Sequence, residues 1–366
     1  MRTLASDASG AIVLCEKTLE CSRPGPQQVL VKVSACHIAG LTDNDFDGDH
    51  ETSPKILTGQ AVGKVSAVGD AVSRCAVGDF VLFFHDEACA EQVLVEESQI
   101  ARKPHALDAA LVAAALKPAV EVYTALYYKM RIEADDTVLI TDPLSARGRF
   151  AAQLAAHHGA VPVMLAFTAQ ADEEAAINNT DSHAQTIEIP GFDAYGSSST
   201  DMNASGLAWR EWQTAALECV RECTSGLGFD HVLDCGLPIE LSKPAGVQNL
   251  PDSRSHWLTF LCRALGMHGT LVTCEAKVDL DVEENMNLAA RGASIGFVSF
   301  RAWTASPARR NRLLHIMDDI LLKLDQAIIV ADHPREESLA NAARALNDPD
   351  AKNNNNDSRA LVARIR

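Results

Sequence analysis

The chain has 366 residues, is 47% hydrophobic and 22% charged, and carries a formal net charge of -17 at pH 7. That length buries one large core or two, and the composition excludes a disordered or fibrous chain. An acidic balance with a pI near 5.1 argues against nucleic acid and anionic membrane as partners, because both repel net negative charge.

Met1 to Asp7 lacks the apolar core of a secretory signal and the Arg-rich, acid-poor character of a transit peptide. No apolar run approaches bilayer-spanning length on this reading, so a cytoplasmic location with reduced thiols is expected. Ten cysteines are scattered from Cys15 to Cys274 without the paired spacing of a disulfide framework. Residues 1 to about 123 read as short alternating strands with Gly-rich turns, beginning with Val29-Leu30-Val31-Lys32-Val33-Ser34-Ala35. From about 124 to 305, strands alternate with helices. In order these are Val138 to Ile140, a helix ending at His158-Gly159, Val163 to Phe167, Gln185 to Ile189, a helix Ala208 to Cys223, Val232 to Asp234 and Leu271 to Cys274. That alternation predicts a parallel, doubly wound sheet. Ser306-Pro307 makes an N-cap and first-turn proline, and behind it Leu313, Ile316, Met317, Ile320, Leu321 and Leu324 fall on one helical face. A closing strand, Leu361 to Ile365, returns to the first domain. The domains are therefore 1–123 with 306–366, and 124–305. Gly191 to Gly206 and Asn353 to Asp357 read as polar, exposed loops.

The centre of the chain is Val138-Leu139-Ile140-Thr141-Asp142-Pro143-Leu144-Ser145-Ala146-Arg147-Gly148 followed by a helical run. It has the outline of a dinucleotide-binding strand-turn-helix, in which glycines let backbone N–H groups approach a pyrophosphate at the helix N-terminus. Only Gly148 stands where three glycines belong. Asp142 brings a charge of the same sign as phosphate, and Pro143 has no N–H to donate.

The order of the pieces carries a resemblance. Gly63-Lys64-Val65-Ser66-Ala67-Val68-Gly69, Val77-Gly78-Asp79-Phe80-Val81, Ala90 to Val95, Tyr123-Thr124-Ala125-Leu126, the central turn and Thr224 to Asp230 follow one another as in the zinc-free medium-chain dehydrogenase/reductase family. Asp230-His231-Val232-Leu233-Asp234-Cys235-Gly236, the long insertion from Leu237 to Trp257, and Gly269 to Glu275 resemble its quinone oxidoreductase-like branch. The resemblance implies an α/β protein with a GroES-like β-rich domain and a Rossmann domain, and a homodimer through the Rossmann-domain edge. It implies NADP or NAD as cofactor, bound weakly if at all, with Thr124, Ser145, Ala146, Gly148, Asp234 and Glu275 as cofactor-binding positions. In this reading Ser145 and Gly148 present N–H groups, and Arg147 or Arg149 partly offsets Asp142. Thr124 and Gly148 have an equally good structural reading. No catalytic residue is assigned, and Tyr123, Tyr127 and Tyr128 are proton-donor candidates whose packing reading is the more common one.

Departures from the family pattern set the functional expectation. The zinc-ligand cysteine of related alcohol dehydrogenases corresponds to Ala39, and the four-cysteine lobe is missing. Cys36 and His37 point to opposite faces of a strand, and Cys219 with Cys223 makes half a site at most, so no zinc is expected. Zinc-free reductases often hold Asn and an acid where this chain has Ala39 and Gln60. The stretch from Phe167 to Glu174 offers no cation for a 2′-phosphate. The favoured function is a catalytically impaired family member kept as a binding or assembly module with protein partners. The alternative is an active NAD(P)H-dependent reductase of quinones or activated enones. Restoring the turn with Asp142→Gly, Pro143→Ala and Ser145→Gly is expected to raise dinucleotide affinity and lower stability slightly.

Overall fold

Alternating apolar residues produce the strands of the N-terminal part of the chain, and continuous Val/Leu/Ile runs produce buried strands in its middle. The computed structural model describes residues 1–6, 12–16, 23–38, 59–85, 88–167, 184–191, 202–236, 253–275, 278–347 and 360–365. Ala39, the stretch from Thr168 to Glu174, residues 192–201 of the expected loop, the insertion from 237 to 252 and Asn353 to Asp357 lie outside the described residues. The chain divides into two compact units, Met1–Val120 with Phe300–Arg366, and Glu121–Ser299. Both cuts fall a few residues ahead of the expected positions 123 and 305.

The first unit is β-rich. It contains β1 (Arg2–Ser6), β2 (Ile12–Glu16), β3 (Gln28–Ile38), β4 (Gly59–Val68), β5 (Phe80–His85), β6 (Gln92–Glu96) and β7 (Ile100–Arg102), joined late in the chain by β14 (Arg335–Ser338) and β15 (Leu361–Arg364). β1 and β2 pair as a two-stranded sheet, and the others form a sheet of order β14-β15-β3-β4-β5-β7 with β6 on β3. The alternation Val29, Val31, Val33 fills its core together with Val65, Val81, Phe83, Val93 and Ala363. The second unit is a six-stranded parallel sheet built from β8 (Thr137–Ile140), β9 (Val161–Phe167), β10 (Gln185–Ile189), β11 (Phe229–Asp234), β12 (Leu265–Thr273) and β13 (Ser294–Phe297). Its order, β10-β9-β8-β11-β12-β13, is that of a doubly wound Rossmann sheet, whose ligand sites lie beyond the carboxyl ends of the central strands.

The helices, in chain order, are α1 (Ala109–Tyr123), α2 (Ala146–His158), α3 (Met202–Cys223), α4 (Ser253–Ala264), α5 (Val282–Arg291), α6 (Phe300–Thr304), α7 (Arg310–Asp325) and α8 (Leu339–Asn347). α2 ends on Gly159 in the left-handed region, φ 92°, the usual helix stop. Three sequence readings need correction. Ser306 caps no α-helix: Pro307–Arg309 is a 3₁₀ turn, and α7 begins behind it, although the six apolar residues expected on its core face are all buried. α3 starts six residues ahead of the expected Ala208. The third correction concerns hydropathy. Ala109–Met130 is long and apolar enough to cross a membrane by length and composition, and 72% of that window is buried inside the protein. A helix packed on nearly all sides is apolar on nearly all sides, which gives it the composition of a membrane span.

Candidate functional site

β8 delivers the chain to the carboxyl edge of the parallel sheet, where it reverses through Thr141 to Ser145 into α2. Asp142 sits there at φ 47°, in the left-handed region that costs a residue with a Cβ about 1–2 kcal/mol, less for Asp than for most. The turn keeps the glycine conformation at its first fingerprint position without the glycine. Ser145 is the N-cap of α2: its Oγ accepts the Gly148 N–H at 3.1 Å and donates to the Asp142 carbonyl at 2.8 Å. The Ser145 N–H donates to the same carbonyl at 3.2 Å. A Cβ on Gly148 would lie 2.2 Å from the Asp142 oxygen and 2.6 Å from Pro143 Cα, so only glycine fits whether or not a ligand binds.

These bonds revise the sequence reading of the turn. The N–H groups of Ser145 and Gly148, expected to face a phosphate, both have partners inside the turn. Ala146 is exposed at the first helical position, and no described residue accepts from its N–H or from that of Arg147. Arg147 does not offset Asp142 in the expected way. Its Nε donates to Glu121 Oε2 at 2.7 Å, and Glu121 is buried. Burial works against the Arg147 charge, but Glu121 outweighs it and the guanidinium pKa rises.

On the other side of the turn, Asp234 ends β11 with no exposed surface. Its carboxylate pairs with Arg254 from the first turn of α4, through Nη2 and through Nη1 at 3.2 Å. It also accepts from Thr273 Oγ1 at 2.7 Å, the Gly236 N–H at 3.3 Å and Trp257 Nε1 at 3.4 Å. Thr273 Oγ1 in turn accepts the Glu275 N–H at 3.0 Å, and Thr141 Oγ1 accepts the Cys235 N–H at 2.9 Å. Asp234 is thus the centre of a closed internal network rather than a surface a cofactor touches. Glu275 is exposed, with its carboxylate 3.4 Å from the place a Cβ on Gly236 would take. Cys235 and Cys274 stand beside this network. Desolvation raises both thiols, Cys274 to about 12, so neither is a thiolate near neutral pH.

Thr124 is buried at the start of a π-helical segment, Thr124–Met130, that continues α1. Such segments are rare and frequent at functional sites. Of the three tyrosines, Tyr127 is engaged in packing. Its hydroxyl donates to the Leu154 carbonyl at 3.4 Å, and its ring meets Tyr123 at 4.5 Å and His158 at 5.2 Å.

Among the described residues no three His, Cys, Asp or Glu side chains converge as a metal site. Gln60, at 1% exposure, holds His37 Nδ1 at 2.8 Å, while Cys36 points away to Cys89. Residues that the sequence reading missed are Glu121, Arg254, Trp257, Thr273 and Cys89. Their side-chain partners lie 19 to 53 positions away, and no local period or motif marks such pairings.

Residues 25–112 match the model of the alcohol dehydrogenase GroES-like domain. Quinone oxidoreductase-like protein 1 of Mus musculus is 28% identical over 254 residues, 69% of this chain and 66% of that protein. A highly reducing polyketide synthase of Pyricularia oryzae is 32% identical over 114 residues, 31% of this chain and 4% of that protein. The chain therefore spans just under two thirds of the mouse protein and a small part of the synthase. Among solved structures, an alcohol dehydrogenase superfamily protein from Novosphingobium aromaticivorans superposes with a TM-score of 0.73 at 20% identity, covering 100% of both chains. A mycobacterial quinone oxidoreductase does so with a TM-score of 0.69 at 19% identity, covering 100% of this chain and 99% of its own. The β-rich unit and the doubly wound sheet agree in fold with these solved structures, and residues 25–112 carry an alcohol dehydrogenase GroES-like domain.

Proposed function

We propose that this protein is a quinone oxidoreductase-like family member whose dinucleotide site is degenerate, and that it serves as a binding or assembly module for protein partners. The carrying observation is the turn itself. The N–H groups of Ser145 and Gly148 are satisfied within the chain, and Pro143 has none. Asp142 places negative charge where a pyrophosphate would sit, with exposed Glu275 at the neighbouring strand end. Arg147 and Arg254, the nearest cations of the network, are paired with Glu121 and Asp234. The residues present do not fit a dinucleotide phosphate. Ala39, at the position of the alcohol dehydrogenase zinc-ligand cysteine, supports zinc independence. A cytoplasmic location fits the reduced thiols.

The second reading is an active reductase of quinones or activated enones using NADPH or NADH. It is favoured by the reductases among the relatives and by the N–H groups of Ala146 and Arg147 that no described residue uses. Calorimetric titration with NADPH and NADH separates the two. Wild type should bind at least about tenfold more weakly than the Asp142→Gly, Pro143→Ala, Ser145→Gly variant, equivalent to roughly 1.4 kcal/mol. Micromolar or tighter binding by wild type, with hydride transfer to a quinone, would establish the reductase. Elemental analysis should show no stoichiometric zinc, and one zinc per chain surviving dialysis would overturn that part.

A further inference from the structure

Cys36 and Cys89 meet inside the β-rich unit, 53 positions apart in sequence. Their Sγ atoms are 2.8 Å apart, and both residues have no exposed surface. A disulfide measures about 2.05 Å, so the two sulfurs need to close by only about 0.8 Å to bond. Gly59, opposite the end of β3, is held to glycine by the backbone, since a Cβ there would lie 2.7 Å from the His37 carbonyl, while Cys36 Sγ would be in ordinary contact at 3.5 Å. On the other side, the Cys89 carbonyl accepts the Leu4 N–H at 3.0 Å and Thr3 Oγ1 at 3.0 Å. Arg2 adds a backbone and a side-chain hydrogen bond to Glu91. Cys89 is therefore fixed to β1 while Cys36 is fixed in β3. Of the described cysteines, this is the pair recorded in direct sulfur contact.

We propose that Cys36 and Cys89 form a peroxide-oxidisable dithiol whose disulfide staples β3 to the segment that carries β1. The oxidant is hydrogen peroxide, small enough to enter during brief local opening. One sulfur attacks a peroxide oxygen and loses its proton; the O–O bond breaks, one water leaves, and a sulfenic acid forms. The second sulfur attacks the sulfenyl sulfur and loses its proton, the S–O bond breaks, and a second water leaves. Two thiols lose two electrons in total, and one peroxide becomes two waters. The second step is intramolecular between groups already in contact, which favours the disulfide over further oxidation. Burial and the neighbouring thiol raise the Cys36 pKa, so the resting Cys36 thiol is protonated and slow to react. Larger disulfides such as oxidised glutathione cannot reach it in the folded protein.

The test uses the full chain, reduced, desalted and exposed in the folded state to a peroxide series, then denatured with an alkylating agent. Digestion at both glutamate and lysine is needed, because Glu87 and Glu91 bracket Cys89 and separate it from Cys75, and Lys32 separates Cys36 from Cys21. The expected product is a Cys36–Cys89 linked peptide pair, lighter by two hydrogens than the sum of its parts and released by dithiothreitol. It should accumulate ahead of any other cysteine pair. Oxidised wild type should unfold at a higher urea concentration than reduced wild type, since the bond closes a long loop. Recovery of both cysteines as alkylated thiols after the exposed Cys223 has been oxidised would overturn the proposal. So would cross-links spread over several cysteines, or a linked species that unfolds no later than the reduced one. All these readouts are made on wild type, so none depends on a core variant folding.

Discussion

Gly148 and Asp142 show how a strand-to-helix turn holds its shape with a single glycine. The carbonyl of Asp142 lies where a Cβ on Gly148 would need to be, and the left-handed φ of Asp142 is what brings that carbonyl there. Gly148→Ala should therefore cost about 1–3 kcal/mol by overpacking, read from urea unfolding with no dinucleotide present. A loss within experimental error would mean that the turn relaxes freely. Asp142→Gly behaves differently from the sequence expectation. Relief of a left-handed residue, about 1 kcal/mol, offsets the entropy that glycine adds to the unfolded chain, about 0.5–1 kcal/mol. That single variant should stay within about 1 kcal/mol of wild type by the same two terms, and the cap lost with Ser145 should account for most of any fall in the triple variant. Glu91 supplies a pH-dependent contribution of known sign. The Arg2 backbone N–H, then the Arg2 guanidinium, hold its carboxyl below the ordinary value. A depressed folded pKa stabilises the protein above the unfolded value and loses that effect as pH falls through the folded one. The stability gap between wild type and Glu91→Gln should be at most about 1 kcal/mol near neutral pH, because water screens the pair, and should vanish as the pH falls through the depressed Glu91 pKa. A gap that widens in acid would reverse the assignment.

At the scale of elements, the ion pair between β11 and α4 shows where a sequence can be read and where it cannot. Continuous apolar runs in Val138 to Ile140 and Val232 to Leu233 mark buried parallel strands, and His158-Gly159 marks a helix end, because those signals are local. The alternation of strand and helix then carries the doubly wound order. The missing glycines at 142 and 145 were equally plain. What filled their place was not legible. Ser145 reads as a lost glycine until its hydroxyl is found bridging Asp142 and Gly148, and Arg254 follows a segment with no motif at all. Asp234, at the end of a family-like strand, reads as a cofactor residue until Arg254, Thr273 and Trp257 are seen around it. Three-dimensional pairing over tens of residues leaves no period in the chain. The energetic consequence is large because Asp234 is fully buried. Arg254→Ala should destabilise the Rossmann unit by about 3–5 kcal/mol, since it leaves a buried carboxylate uncompensated. Adding Asp234→Asn to that variant should recover part of the loss by removing the charge. If the double variant is no better than the single one, the damage lies in packing around Trp257 rather than in electrostatics.

For the molecule as a whole, the two units are assembled from the chain in unlike ways, and that difference is testable. Every strand of the parallel sheet lies within Glu121–Ser299. The β-rich unit instead needs chain from both ends: β15 lies between β14 and β3, antiparallel to β3 at Ala35, Cys36 and His37. Val362 and Ala363 have no exposed surface, and the Ile365 N–H donates to the Ser34 carbonyl at 3.0 Å. Deleting residues 361–366 strips the ladder from one side of β3, opens the core beside Cys36 and leaves β14 without its recorded partner. The parallel sheet loses no hydrogen bond. Limited proteolysis of the truncated chain should therefore cut within 1–120 and 300–360 and leave a resistant core spanning most of 121–299. Amide hydrogen exchange should show the same division, with β8, β11 and β12 protected as in the full chain. Uniform loss of protection across both units would show that the parallel sheet depends on the β-rich unit for its stability. Unchanged protection in β3 and β4 would show that β15 contributes little to a sheet in which it is an interior strand.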